Sequence, residues 1–189
     1  MSPRVGLDLK TIVKAAADIA DADGIEAVTL GTLSRKLNIR PPSLYNHVEG
    51  LPGLRKELAL YGIKELEKCL ALAAAGKALD DAVRSMGEAY LAFARRKPGL
   101  YEATFYTIDM GDTDIKLASD KIVNVVIQVL QQYGIDGENA VHATRGLRSI
   151  LHGFASIVQK GGFAMEIDIN ESFHFLIDTF LMGIKNKCI

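Results

Sequence analysis

Apolar side chains recur at three- and four-residue intervals through most of the chain, and stretches alternating every second residue are scarce. Leu9, Ile12, Val13, Ala16, Ala17, Ile19 and Ala20 mark one face of a first helix, which Asp23-Gly24 closes with a glycine suited to a left-handed C-terminal position. After a short link, Thr29 is a good N-cap for a helix over 30–37, and Asn38-Ile39-Arg40 makes a tight turn. Pro41 and Pro42 then open a second short helix reaching about Val48, since prolines in a first turn remove donors that have no partner. Gly50-Leu51-Pro52-Gly53 punctuates the chain, and helices are predicted over about 54–75, 80–96, 99–106, 113–134, 138–161 and 171–186. The pattern is all-α with about nine helices: a region of short helices and tight turns over 1–52, then a longer-helix bundle over 53–189.

The segment 29–48 carries the most specific pattern. Leu30, Leu33 and Leu37 share a face of the first short helix, Leu44 and Val48 share a face of the second, and Ile39 plugs the turn between them. Two short helices with inward apolar stripes joined by a few residues is helix-turn-helix geometry, and Asn38 tolerates the positive φ that such a turn needs. Outside the stripe stand Arg35, Lys36, Arg40, Ser43, Tyr45, Asn46 and His47, and 29–48 contains no acidic residue. Cations and hydroxyls suit phosphate, and amide and imidazole groups suit base edges. A merely solvated hairpin face explains neither the turn spacing nor the aromatic–amide–imidazole cluster.

Composition changes this picture little. With 189 residues, a formal charge of −1, 49% hydrophobic and 24% charged residues, the chain is ordinary globular material, and DNA binding has to rest on the local patch. The two cysteines, Cys69 and Cys188, form no CxxC pair, which fits a reducing, cytoplasmic compartment. No apolar run is long enough for a membrane span, and the N-terminus has no signal-peptide pattern. HExxH, GxSxG and phosphate-loop motifs are absent, Ser149 and His152 stand three apart without an orienting acid, and Asp80-Asp81 reads as a solvated helix start. Four scattered histidines make no metal cluster, so neither an enzyme, a metal nor a cofactor is expected.

The stretch from Gly24-Ile-Glu-Ala-Val-Thr-Leu through the hairpin to Leu44-Tyr45-Asn46-His47-Val48 resembles the DNA-binding domain of TetR-type transcriptional regulators, over residues 8 to about 60. Downstream, Arg145-Gly-Leu-Arg148-Ser-Ile-Leu151-His152-Gly153-Phe154, then Gly161-Gly162-Phe163, resembles the C-terminal class named for a Trp-His-Gly motif, with Leu151 at the tryptophan position. The resemblance implies a homodimer that binds a palindromic operator in double-stranded DNA, represses transcription, and is released by a small molecule in the C-terminal domain. It implies that Pro42, Ser43, Tyr45, Asn46 and His47 lie in or beside the major groove, with Tyr45 packing its ring on the hairpin. By the same resemblance, Thr29 and Thr32 are expected to meet phosphate through hydroxyl, amide and helix dipole. Family members usually carry a serine or threonine cap where Arg40 stands, and a phosphate-binding lysine where Leu51 stands; Arg55 or Lys56 is the replacement from the next helix.

In the C-terminal region Met86, Tyr90, Phe93, Tyr101, Phe105, Tyr106, Met110, Phe154 and Phe163 cluster in sequence, as a core or as the lining of a pocket for an apolar or aromatic effector. His142, Arg145 and His152 share one predicted helix and supply candidate polar groups for that pocket. Phe173, Ile177, Phe180 and Ile184 stripe the last helix, with Gly153 on its neighbour allowing close approach, as a dimer seam or an internal core. The alternative to a DNA-binding regulator is a helical small-molecule-binding or protein-interaction module whose hairpin reads no DNA.

Overall fold

The structure, a computed structural model, describes residues 7–105 and 112–187; Tyr106, Met110 and Cys188 lie outside the described residues. Eight α-helices follow one another: α1 (Leu9–Asp23), α2 (Leu30–Leu37), α3 (Gly50–Ala74), α4 (Leu79–Arg96), α5 (Pro98–Ala103), α6 (Thr113–Gln131), α7 (Gly137–Gln159) and α8 (Ile169–Lys187). Two 3-10 turns, Ile25–Ala27 and Pro41–Ser43, complete the regular structure of the described residues. With the Pro41 segment as the ninth, the helices match those of the sequence pattern.

Two boundaries differ. The segment after Arg40 is a single 3-10 turn followed by further turns, not a short α-helix, because two consecutive prolines supply no N–H and Arg40 makes no side-chain cap. Helix α3 starts at Gly50 instead of near 54: Gly50 takes a φ of +66°, which redirects the chain, and Pro52 falls in the first turn, where its missing donor costs nothing.

The chain divides into two compact units that interleave in sequence: Met1–Lys64 with Arg96–Ala118, and Glu65–Arg95 with Ser119–Ile189. The first therefore takes in α5 and the start of α6, which lie well beyond the division near 52 suggested by helix length. Its core holds Ile12, Ala16, Val28, Leu33, Leu44, Leu54 and Leu58, all essentially sealed from solvent. Each buried leucine or isoleucine of this set contributes roughly 1.5–3 kcal/mol of transfer free energy.

Helix α5 is inserted with no clearance on two sides. A Cβ on Gly99 would lie 2.0 Å from the Ala20 carbonyl of α1, and one on Gly62 of α3 would lie 2.8 Å from the Leu100 carbonyl oxygen. Asp21 Oδ1 accepts the Leu100 N–H at 2.9 Å, capping α5 from another helix because Lys97, at the cap position, makes no side-chain cap bond. Lys97 Nζ lies 3.2 Å from the other Asp21 oxygen as an ion contact.

The second unit is built on α4, α7 and α8. Gly87 lets Phe173 and Ile177 close in, at 3.2 and 3.4 Å from where its Cβ would be, and Phe154 meets both Phe163 and Phe173 with ring centroids 5.1 Å apart. Asp80 does not act as a solvated helix start: its carboxylate accepts the Tyr133 hydroxyl at 2.9 Å and the Lys185 ammonium at 2.7 Å. Lys185 and Tyr133 hold the Asp80 carboxyl below the usual range, and burial together with Asp80 pushes the Tyr133 phenol well up.

Candidate nucleic-acid interface

The reading hairpin is fixed by local hydrogen bonds that its sequence dictates. Thr29 Oγ1 accepts the Thr32 N–H at 3.0 Å, and Thr32 Oγ1 accepts the Thr29 N–H at 3.0 Å, a reciprocal capping box at the start of α2. Thr32 Oγ1 also donates to the Ala27 carbonyl at 2.7 Å, so this hydroxyl is committed to the fold. At the other end Asn38 sits in the left-handed region (φ 51°, ψ 47°). The Asn38 N–H bonds to the Arg35 carbonyl and the Ile39 N–H to the Ser34 carbonyl, closing the helix as a Schellman motif. Buried Ser34 donates its hydroxyl to Leu30 O at 2.6 Å.

Beyond the turn, Ser43 bonds back to Arg40 O, Leu44 to Pro41 O, and both His47 and Val48 to Leu44 O. Leu33, Leu44 and Val48 point inward and are buried, which leaves Thr29, Arg35, Lys36, Arg40, Pro42, Tyr45 and Asn46 exposed, with Ser43 and His47 half-buried. Tyr45 is 62% exposed, more than packing of its ring on the hairpin would leave. The carboxyl of Asp8, the N-cap of α1, is held below its ordinary range chiefly by the Thr11 hydrogen bonds. The exposed side of a segment without acidic residues thus stands on an apolar underside, and Asp18 of α1 lies 3.8 Å from Lys36.

The two basic residues that follow are engaged. Arg55 pairs with Glu26 at 3.0 Å. Lys56 Nζ lies 2.8 Å from Asp112 and 3.1 Å from Asp114, and these carboxylates hold its ammonium above the ordinary lysine range. The remaining oxygen of Asp112 accepts the N–H groups of Asp114 and Ile115, capping the start of α6. Partners 58 residues apart leave no trace in one sequence.

In the second unit a groove of about 600 Å³ is lined by Gly134, Asp136, Asn139, His142, Gly146, Phe180 and Gly183 among others. Of the eight residues expected at an effector pocket, His142 is in its lining; Arg145 is exposed and His152 half-buried on α7. Met86, Tyr90 and Phe93 are buried in α4, while Tyr101 and Phe105 belong to the first unit, where their rings meet edge-on at 5.1 Å. Phe173, Ile177 and Ile184, read as a dimer seam, are already buried within the protomer; Phe180 is half-buried beside the groove, and Gly153 has open space where a Cβ would stand. Periodicity marked the buried side of α8, and the exposed apolar side chains of that helix are Phe175 and Met182. Among the described residues no three His, Cys, Asp or Glu side chains gather as a metal site, and no helix is long and apolar enough to cross a membrane.

A family model described as the Tetracyclin repressor-like, C-terminal domain matches residues 83–180. The chain is 47% identical over 192 residues to the HTH-type transcriptional regulator YobS of Bacillus subtilis (strain 168), covering 100% of both. Two solved structures share the fold, each at 18% identity. The transcriptional regulator SCO7222, a TetR from Streptomyces coelicolor, has a TM-score of 0.74, with 96% of this chain and 99% of that one covered. A TetR variant from Acinetobacter baumannii AYE, in complex with minocycline, has a TM-score of 0.71, with 97% and 99% covered. By its capped helix-turn-helix, its all-helical architecture and its likeness to YobS along its whole length, the chain belongs to the TetR family of HTH-type transcriptional regulators.

Proposed function

We propose that the protein is a homodimeric repressor that reads a palindromic site in double-stranded DNA through residues 29–48 and is released by a small effector molecule. The observation that carries this reading is the exposure of Arg35, Lys36, Arg40, Tyr45 and Asn46, in a segment without acidic residues, above buried Leu33, Leu44 and Val48. Arg35, Lys36 and Arg40 supply charge for phosphates, and Asn46 offers the amide that pairs with an adenine edge. Thr29, exposed at the start of α2, contributes a phosphate contact alongside the helix N-terminus.

Dimerisation is assigned to α7 and α8. Phe175 is 74% exposed and Met182 58% exposed on α8, and a groove between α7 and α8, lined by Gly146 and Gly183, leaves room for a partner's side chains. The effector is an apolar or aromatic small molecule, in line with the minocycline held by the Acinetobacter relative. The protein acts in the cytoplasm, as a regulator and not as an enzyme.

The test is selection from a random duplex library, followed by salt titration on the best site. Enrichment of a palindrome with half-sites about one helical turn apart, and a log affinity falling linearly with log salt, is the expected result. Retention no better than for bulk DNA in both the presence and absence of a cell metabolite extract would favour a helical ligand-binding module without DNA recognition.

A further inference from the structure

Lys56 is, with Arg55, one of the two basic residues of the next helix that stand in for the missing phosphate lysine at Leu51, yet its ammonium is claimed by two carboxylates of the same unit. We propose that Asp112 and Asp114 form an intramolecular latch on Lys56, which occupies the place of a DNA phosphate and holds the affinity of the reading unit in check. This inference rests on the DNA-binding reading above and concerns how that surface is regulated.

Three features support it. The contacts are short, at 2.8 and 3.1 Å, and use different acids, so the ammonium is matched by more than one negative charge, as it is between phosphate oxygens. Asp112 has two tasks at once: one oxygen binds Lys56 and the other accepts the Asp114 and Ile115 N–H groups. The latch thereby ties the first turn of α6 to the second turn of α3, the helix that directly follows the reading hairpin. Finally, the pair is accessible: the Lys56 side chain is 38% exposed and that of Asp114 66% exposed, so a phosphate can compete for the ammonium without unfolding anything. Anything that displaces the start of α6 releases a cation for DNA, and anything that holds it there withdraws one.

The experiment measures binding of a mixed-sequence duplex by the full-length chain across a salt series, for the wild type, Asp114→Asn, Lys56→Ala and the double variant. Asp114 is chosen because Asp112 also caps α6. The latch predicts that Asp114→Asn tightens binding about threefold to tenfold and steepens the log–log salt slope by about one per protomer. The gain requires Lys56: introduced into a Lys56→Ala background, Asp114→Asn brings no comparable tightening. An unchanged Asp114→Asn, or an equal gain in the double variant, would overturn the latch, since the acid would then act only as diffuse negative charge. If neither the wild type nor any variant binds duplex DNA at low salt, the DNA-binding reading itself fails, an outcome distinct from a wild type that binds and a variant that does not differ.

Discussion

Asp21 of α1 accepts the backbone N–H of Leu100, 79 residues further on, at 2.9 Å, and so provides the cap that α5 lacks in its own sequence. Replacing Asp21 by Ala removes this acceptor and the ion contact with Lys97 together. A loss of about 1–2 kcal/mol is expected in urea unfolding, with Asp21→Asn retaining part of it. Gly99→Ala is expected to cost about 3 kcal/mol or more, because the new Cβ meets backbone and no side chain can rotate away. A melting midpoint for Gly99→Ala within error of the wild type would show that α5 is not held as described.

Hydroxyls and amides of the hairpin separate into two behaviours. Thr32→Val breaks the capping box and the bond to Ala27 O, so it should lower stability by about 1 kcal/mol while leaving DNA sequence preference intact. Asn46→Ala should relax preference at one base position, whereas Arg40→Ala should weaken all sequences alike and reduce the salt slope by about one. Binding measured on a panel of single-base operator variants distinguishes these; uniform losses from Asn46→Ala would remove it from base reading.

Two phenylalanines on α8, two residues apart, should respond in opposite ways. Phe175→Lys should leave the melting temperature near that of the wild type and shift the mass in light scattering from dimer to monomer. Phe173→Lys places a charge at a site 2% exposed and should unfold the protein or cost several kcal/mol. A Phe175→Lys protein that remains dimeric would move the interface away from this face.

His152 gives stability a pH dependence of definite sign. Burial, followed by Arg148 and Lys160, lowers its imidazole from the ordinary value of 6.5. The unfolded chain then binds the proton more readily than the folded one. Its contribution is therefore fully present above pH 6.5 and is lost as the pH falls through the lower folded value. His152→Gln should flatten that part of the stability curve in denaturant titrations between pH 7 and 5. An unaltered slope would assign it to another group.

Much of the first unit was legible because its signals are local. Thr29 as a cap, Asn38 in the left-handed region and the inward leucines all act within a few residues, and each stands where the pattern placed it. The Pro41 segment was legible in position and not in conformation: the prolines announce a helical start, but with two donors gone only a 3-10 turn forms before the chain turns again. The stripe of Phe173, Ile177 and Ile184 was read correctly as apolar, yet a 3.6-residue period reports that a face is covered, not whether the same chain or a second one covers it. Asp21 with Leu100 and Lys56 with Asp112 were not legible, since ion pairs and caps across many residues depend on the fold that brings them together.

The two glycines that admit α5 also determine how the first unit responds to a push. Ordinary helix contacts meet through side chains, which can change rotamer and absorb a displacement of several tenths of an ångström. At Gly99 against Ala20, and at Gly62 against the carbonyl of Leu100, main chain lies on main chain, with no rotamers in which a movement can be dissipated. A shift of α5 must therefore be borne by α1 and α3 as whole helices, undamped, and these are the helices that flank the reading hairpin in the chain.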